Sequence, residues 1–407
     1  MAQLKQVKTK KEIIVNGCEA IAQACRLADV DFVTAYPIRP YDGVMEAIAK
    51  MIANGELDAD YIVAESEHSQ FEMAKHASAV GARAFVGSSG VGWLHAFEAI
   101  AVTAGLRLPV VAMVGNRALD DPGAFGVEHN DALSVRDLGW MLTWVDSAQE
   151  ALDTMLIAYK VSETPEVFLP CALAVDGAFL THSEHLVTLP EREQVRKFLP
   201  QYDRGNFVLH PDNPITIAPQ VDENWLMEIR KQSDEAMRHA KGVISSAYQD
   251  FAAVFNRDLG DPFIEEFMTE DAEVVLIGQG TLSIAVEDGI RQLRKQGKKV
   301  GFVRLKWLRP FPTEEIQSSL HRFKAVGVVD RDYSYGSPYF GGVLFTEIRS
   351  ALYPMSEVLR PHVLGFTCGL GGREVTLKDI MEMSEILLKV SQTGKVEEHT
   401  HWIGVRT

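Results

Sequence analysis

Between residues 12 and 180 the hydrophobic positions alternate between helical spacing and short unbroken apolar runs, the pattern of helices interleaved with buried strands. The spacing predicts a helix over Glu12–Leu27 and a strand over Asp31–Ala35. A second helix runs from Asp42, as its cap, to Ala53, with Gly55 as its stop signal. A strand over Tyr61–Glu65, a helix over Glu67–Val80 and a strand over Arg83–Val86 follow. Then come a helix over Val91–Ala104, a buried strand over Pro109–Val114, a helix over Ser147–Ser162 and a strand over Glu166–Cys171. Apolar strands alternating with helices imply a parallel sheet covered on both faces. Residues 1–181 therefore read as one doubly wound α/β domain.

The alternation stops near residue 182. Pro190, Pro200, Pro211, Pro214 and Pro219 punctuate the next stretch, and Asn224–Asn256 is a long amphipathic helical segment. Residues 182–265 keep Phe198, Trp225, Tyr248 and Phe255, so they read as a structured connector rather than a flexible linker. A second α/β unit occupies residues 266–407. Its strands are expected at Glu273–Ile277, Lys299–Lys306 and Ala325–Asp330, and its helices at Ser283–Gln296, Thr313–Phe323 and Gly341–Leu352.

Composition narrows the function. The 407 residues carry 40 Lys and Arg against 56 Asp and Glu, a formal charge of −16. That balance argues against a nucleic-acid binder, whose affinity would come from neutralising phosphates. No apolar run approaches a membrane span, and the first residues lack the apolar core of a secretory signal. A cytoplasmic protein is expected. Cys18, Cys25, Cys171 and Cys368 are scattered thiols without a CxxC pair, too few and too dispersed for iron–sulfur ligation. Any such clusters must belong to another chain, and no metal ligands are assigned here. His399 and His401 near the carboxyl end read as a solvated tail rather than a metal site.

Ligands of open α/β sheets bind beyond the carboxyl ends of the strands. Four loops lie there: Tyr36-Pro37-Ile38-Arg39-Pro40-Tyr41-Asp42, Ala64-Glu65-Ser66-Glu67-His68, Gly87-Ser88-Ser89-Gly90-Val91-Gly92, and Gly115 to Asn130. Prolines on both sides of Arg39 stiffen the first loop, which suits a guanidinium held at a ligand mouth, or simply a rigid turn. Glu67 opens a helix, where an acid also suits the helix dipole, and Glu65 competes with it for any role. The third loop lacks the Lys-Ser/Thr of a phosphate loop. The fourth is long and polar, with Arg117, Asp120, Asp121, His129 and Asp131 as candidate groups. Arg117 and Asp120 have opposite charge and cannot both usefully face an anion.

Taken in order, these loops resemble those of the alpha subunits of 2-oxoacid:ferredoxin oxidoreductases, thiamine-diphosphate enzymes. YPIRP stands where that family has a YPITP-like loop, and SEH precedes a small-residue helix, AKHASAVGARAF. Asn116 to Asp131 matches the arginine-bearing loop and its HxD, and KWLRPFP with VVDRDYSYGSPYFGG is similar to a transketolase-C-terminal-like domain. The resemblance implies a pyrimidine-type thiamine-diphosphate domain followed by that second domain. It makes Glu67 the carboxylate that hydrogen-bonds the cofactor's aminopyrimidine, with Pro37, Ile38 and Ser89 as further cofactor contacts. It makes Arg117 the arginine for the substrate carboxylate. With Gly115, Gly123 and Gly126 as hinges, the loop is expected to move, presenting Arg117 as substrate binds and bringing the catalytic Asp120, or Asp121, inward around decarboxylation. The chain lacks a GDG…NN motif for diphosphate and magnesium. The resemblance therefore implies a beta subunit supplying the Mg²⁺ and diphosphate half-site and an iron–sulfur cluster. A gamma- or delta-type subunit with ferredoxin-like clusters, and ferredoxin as acceptor, complete the expected assembly.

Arg39 departs from the family's usual Thr. Beside a substrate methyl group, a second arginine would be desolvated without a partner. A substrate with a second anionic end would remove that cost. The YPIRPYD loop is similar to that of oxalate oxidoreductases, which implies oxidation of oxalate to two CO₂ without coenzyme A. The alternative is a 2-oxoacid:ferredoxin oxidoreductase acting on pyruvate or a larger 2-oxoacid; a non-catalytic scaffold is the reading of another class.

Overall fold

The computed structural model describes residues 11–120 and 122–406, so Met1–Lys10, where the absence of a secretory signal is expected, Asp121 and Thr407 lie outside the described residues. The first half folds as β1 (Lys11–Val15), α1 (Gly17–Leu27), β2 (Phe32–Ala35), α2 (Asp42–Ala53), β3 (Asp60–Val63), α3 (Glu67–Ala79) and β4 (Ala84–Ser88). It continues through α4 (Gly90–His95), α5 (Phe97–Gly105), β5 (Val111–Asn116), α6 (Asn130–Leu133), β6 (Met141–Val145), α7 (Ala148–Ser162) and β7 (Cys171–Asp176). Strands β4, β5, β6 and β7 are buried at every position, as strands covered on both faces are; Met141–Val145 is a strand that the sequence pattern left unassigned. The sheet order is β6-β7-β5-β4-β2-β3, all parallel.

The connector holds β8 (His185–Leu189), α8 (Arg192–Phe198) and the 30-residue α9 (Leu226–Phe255). Ala236, Ala240, Ile244, Ala247 and Phe251 form the buried stripe of α9, at helical spacing. Phe251 and Phe255 meet Phe198 edge-on at 5.5 and 5.4 Å between centroids, which fixes the helix to α8.

The second half contains β9 (Ile264–Phe267), β10 (Val274–Gly278), α10 (Leu282–Lys295), β11 (Val300–Leu305), β12 (Trp307–Arg309), α11 (Thr313–Leu320) and β13 (Ala325–Asp330). It ends with α12 (Val343–Leu352), β14 (His362–Thr367), α13 (Leu377–Thr393) and β15 (Thr400–Trp402). Its sheet order is β15-β14-β13-β10-β11-β9, parallel except for β9. Strand β12 leaves this unit and pairs antiparallel with β6, as the seventh strand of the first sheet. A single apolar core runs from Phe71, Trp93 and Trp140 in the first half to Val275, Ile277 and Val303 in the second.

Several expectations need correction. Lys11–Val15 is not the start of a helix: it pairs antiparallel with β8, and Asn16 caps α1 through Glu19. The stretch Val91–Ala104 is two helices, bent at Ala96 where φ is −85° and ψ is 7°. The strand expected at Glu166–Cys171 begins only at Cys171, after Pro170. Asp42 does not cap α2, since Tyr41 occupies the cap position without a side-chain bond. His399 immediately precedes the edge strand β15 and His401 lies within it, stacked on Phe366, rather than forming a solvated tail.

Candidate active site

At the carboxyl end of β3 the chain turns into α3, with the Ser66 hydroxyl accepting the Ser69 N–H. This cap decides between the two acids of the loop. Glu65 stays exposed and accepts the Ser69 hydroxyl, whereas Glu67 turns inward and is buried. Its Oε2 lies 3.0 Å from His95 Nδ1, at the end of α4. A Cβ on Gly92 would sit 2.3 Å from Glu67 Oε1, 2.7 Å from Ile38 Cδ1 and 2.8 Å from Ser88 Oγ. Gly92 is thus the floor of a cradle whose walls are those three side chains. Gly90, two residues earlier with φ of +53°, faces Arg117 Nε at 3.0 Å in the same sense. The start of α4 therefore touches both the glutamate and the arginine singled out from the sequence.

In the first loop Asp42 N–H donates to Ile38 O at 2.9 Å, closing a tight turn. Pro40 packs against the Gly115 position, beside Ser89. The Arg39 side chain is 76% exposed and its Nε lies 3.3 Å from Asp42 Oδ2. The arginine that looked unpartnered in sequence thus has a carboxylate three residues on and stays in water. Tyr41 is not at the mouth. It is fully buried against Gly87 of β4, and burial pushes its hydroxyl pKa well up.

Arg117 comes off the end of β5. Its Nη1 donates to Arg39 O at 3.1 Å, its Nη2 lies 3.2 Å from Asp120 Oδ2, and its guanidinium carbon is 5.3 Å from the Phe125 ring centroid. Arg39 and Arg117 thus border one mouth through the Arg39 backbone, while their side chains hold different acids. Asp131 fixes the base of this loop. Its two oxygens accept Gly90 N–H, Arg117 N–H, Asn116 Nδ2 and Ala132 N–H at 2.8–3.0 Å. Burial pushes its pKa up to about 6, against the pull of those four donors. The loop is pinched shut by Ala118 N–H on Gly126 O at 2.8 Å, and Gly372 of the second half donates to Val127 O at 3.1 Å.

A buried cluster clamps the halves together behind the loop. Asp176 accepts His129 Nε2 at 2.8 Å, Arg331 Nη1 at 2.9 Å, and both the backbone and hydroxyl of Thr281. Burial alone would raise its pKa, but His129 and Arg331 outweigh it and hold the carboxyl well below the usual range. His95, Ser88 and Asn116 are site residues that the sequence reading missed. The signal for His95 was its place one turn and a half into the helix that the glycine loop opens.

The site suits a polar ring system and its appendages. Ser88 Oγ, Ser89 Oγ, Asn116 Oδ1 and Arg117 Nε are buried yet have no hydrogen-bond partner within the chain, and all four lie on the loops around the Gly92 cradle. Unpartnered buried groups of this kind are rare in folded proteins and cost free energy unless a ligand satisfies them. An acid, two hydroxyls, an amide and an apolar Ile38 wall fit the thiamine-diphosphate pyrimidine half-site that the resemblance implies. Among the described residues, no group of three or more His, Cys, Asp and Glu is placed to hold a metal ion, and the four cysteines are separately buried.

Comparison with known proteins gives the same direction. Residues 23–249 match the family model described as "Pyruvate flavodoxin/ferredoxin oxidoreductase, thiamine diP-bdg", and residues 272–380 match "Pyruvate:ferredoxin oxidoreductase core domain II". The chain is 37% identical to the pyruvate synthase subunit PorA of Methanocaldococcus jannaschii, across 97% of this chain and 98% of that one. It is 39% identical to the ketoisovalerate oxidoreductase subunit VorA of Pyrococcus furiosus, across 96% and 97%. Among solved structures, 2-oxoglutarate:ferredoxin oxidoreductase from Magnetococcus marinus superposes with a TM-score of 0.68 at 16% identity. That match covers 94% of this chain but only 65% of that one. A split-gene transketolase, in an inactive tetramer, gives 0.56 at 13% identity, over 93% of this chain and 99% of that one. The last two likenesses show the fold alone, parallel-sheet α/β domains arranged as in transketolase-like proteins.

Proposed function

Because the chain belongs to the pyruvate:ferredoxin oxidoreductase family, as an oxidoreductase subunit with a thiamine-diphosphate-binding domain, we propose that it is the alpha subunit of a 2-oxoacid:ferredoxin oxidoreductase. The observation that carries this reading is the buried Glu67 carboxylate, set one glycine cradle away from the loop that presents Arg117. When bound, thiamine diphosphate supplies a nucleophilic carbon and an electron sink, the chemistry that decarboxylation of a 2-oxoacid needs.

The chain's own residues have separable tasks. Glu67 holds a proton against a ring nitrogen of the cofactor, and His95 fixes the orientation of the carboxylate. Ile38 forms an apolar wall beside Glu67, the exposed Pro37 precedes it in the same loop, and Ser89 supplies a hydroxyl with no partner in the chain. Arg117 binds the substrate carboxylate, in water-excluded surroundings where a charge-assisted fork is strong. Asp120 occupies Arg117 in the resting site and must give way as the substrate carboxylate arrives. A beta subunit provides the diphosphate and Mg²⁺ half-site with an iron–sulfur cluster. A gamma- or delta-type subunit carries ferredoxin-like clusters, through which two electrons leave singly to ferredoxin. The four free, buried cysteines suit a reducing cytoplasm.

The relatives act, by their names, on pyruvate and ketoisovalerate, which favours a monocarboxylic 2-oxoacid. A second reading, oxalate oxidation without coenzyme A, rests on Arg39, which stands at the same mouth and would have to exchange Asp42 for the second carboxylate. The test is viologen reduction by the complex purified with its natural partners, offered pyruvate, 2-oxoisovalerate or oxalate, with and without coenzyme A. Reduction with a 2-oxoacid that requires coenzyme A supports the first reading. Reduction with oxalate alone, indifferent to coenzyme A, establishes the second. Turnover of none of the three in a thiamine-diphosphate-loaded complex would overturn both.

A further inference from the structure

On the far side of the second half, away from the strand ends that form the mouth, a cavity of about 340 Å³ opens between the end of α12, the start of β14 and the segment before β15. Arg349, Arg360, His362 and His399 line it, with Leu352 and Val363 as apolar surfaces, and no carboxylate is among its lining residues. In a chain with a formal charge of −16 such a concentration of basic groups is unexpected. Among the described residues neither Arg349 nor Arg360 is in a salt bridge, although most arginines of the chain are.

The arginines could merely offset the negative end of α12, since both lie near it. That accounts for Arg360, whose Nη1 donates to Tyr353 O at 3.0 Å. It does not account for Arg349. Its guanidinium carbon lies 4.3 Å from the Tyr339 ring centroid and 5.2 Å from that of Phe345, and its Nη1 is buried with no hydrogen-bond partner. His399 packs on the other part of the same Tyr339 ring, at 4.2 Å between centroids, and its Nδ1 is also buried and unpartnered. Tyr339 itself stands in the left-handed region, φ 62°, as does Phe340, φ 56°, a strained conformation for side-chain-bearing residues that surroundings must impose. The strained turn thus supplies the ring against which two lining residues pack, each with a buried polar nitrogen that has no partner in the chain.

We propose that this cavity is a binding site for a phosphate group, held by Arg349 with Arg360, His362 and His399 around it. Phosphate is the favoured anion because two arginines line the cavity, and its tetrahedral oxygens can take more than the single guanidinium fork that a planar carboxylate accepts. The cavity is at the small end of ligand sites, so it admits the phosphate with a compact organic body at most. Free phosphate and a phosphate monoester share this chemistry. The site is separate from the mouth, and the proposal does not depend on which substrate the enzyme takes.

Isothermal titration calorimetry on the full-length chain decides the matter, with inorganic phosphate, adenosine 5′-monophosphate and adenosine as probes. Saturable binding of phosphate, one per chain, and none of adenosine is the expected result. Tighter binding of the monophosphate than of phosphate identifies a monoester as the ligand, and equal or weaker binding identifies the free ion. Arg349→Gln and Arg360→Gln should each weaken phosphate binding by about tenfold or more, the scale of a lost charge-assisted hydrogen bond. The half-exposed Arg360 keeps the test valid if the Arg349 variant misfolds by circular dichroism. No saturable binding of phosphate, adenosine binding as well as its monophosphate, or binding lost in Arg117→Gln but kept in Arg360→Gln would each overturn the proposal.

Discussion

A single methyl group at Gly92 tests the proposed active site more sharply than removal of any charged residue. Glycine is not needed there for its backbone, since the position lies within α4 without a positive φ. Alanine should even favour the helix by about 0.5–1 kcal/mol. The methyl would displace the ends of Glu67, Ile38 and Ser88, an overpacking cost of about 1–3 kcal/mol. The net destabilisation is then about 0–2.5 kcal/mol, small enough for the protein to remain folded. Function should suffer far more. Glu67 Oε1 would start 2.3 Å from the new carbon and must retreat by about 1 Å to reach ordinary contact, and a displacement of that size in a catalytic group costs about 10²-fold in rate. The assay is thiamine-diphosphate-dependent viologen reduction by the purified complex, with thermal unfolding followed in parallel. Gly242→Ala is the control, because its methyl meets nothing within 4 Å on α9. It should stabilise by about 0.5–1 kcal/mol and leave turnover alone. If Gly92→Ala turned over within about threefold of wild type, less than 1 kcal/mol in barrier, Glu67 would not be the group that addresses the cofactor.

Three further outcomes are expected. Glu67→Gln, which keeps the shape and loses the charge, should assemble normally and slow turnover by about 10²-fold or more; full activity would transfer the role elsewhere. Arg39→Thr should change kcat/KM for a 2-oxoacid by less than about threefold, as for other exposed ion pairs, whereas a loss of roughly 10- to 150-fold with oxalate as substrate would establish the oxalate reading. Burial raises the Glu128 pKa from 4.5 to about 7, so its ionisation opposes folding: the stability it permits is complete below pH 4.5 and is lost as pH rises through 7. Glu128→Gln should therefore raise Tm at pH 8 and not at pH 4.5, and an equal gain at both values by scanning calorimetry would exclude the carboxyl as the cause.

Local chemistry was legible in the sequence; direction and distant pairing were not. The strand-end loops and the loop of Arg117 followed from apolar period and from resemblance, whereas the choice of Glu67 over Glu65 as the buried acid came from resemblance alone. Lys11–Val15 misread as helix because its only sheet partner, His185–Leu189, lies about 170 residues on, and residues such as Lys, Glu and Ile do not by themselves exclude a helix. The strand Met141–Val145 went unassigned for a related reason: its partners are β7 and a strand from the other half of the chain. For Arg39 the sequence showed the residue and the prolines around it but not the side-chain rotamer. The turn that bonds Asp42 N–H to Ile38 O brings Asp42 under the guanidinium, and only the folded backbone reveals that. His95 was hidden because a lone histidine in a helix carries no period of its own. Its meaning comes from Glu67, a residue 28 positions earlier.

The excursion of Trp307–Arg309 bears on how such a chain can be inherited. Trp144 N–H and the Thr143 hydroxyl both bond Lys306 O, and Trp307 sits fully buried in the first half's core with its indole N–H on Tyr248 of the connector. A gene cut within the connector would leave β6 as a bare edge, an open ladder that invites other chains to pair with it. It would also leave a tryptophan-sized hole beneath the connector helix. The two halves look like modules in a linear sequence, but neither is a self-sufficient unit of folding or of recombination. An exchange that replaced the second half with a relative's would succeed only if the incoming segment carried a strand able to finish the first half's sheet.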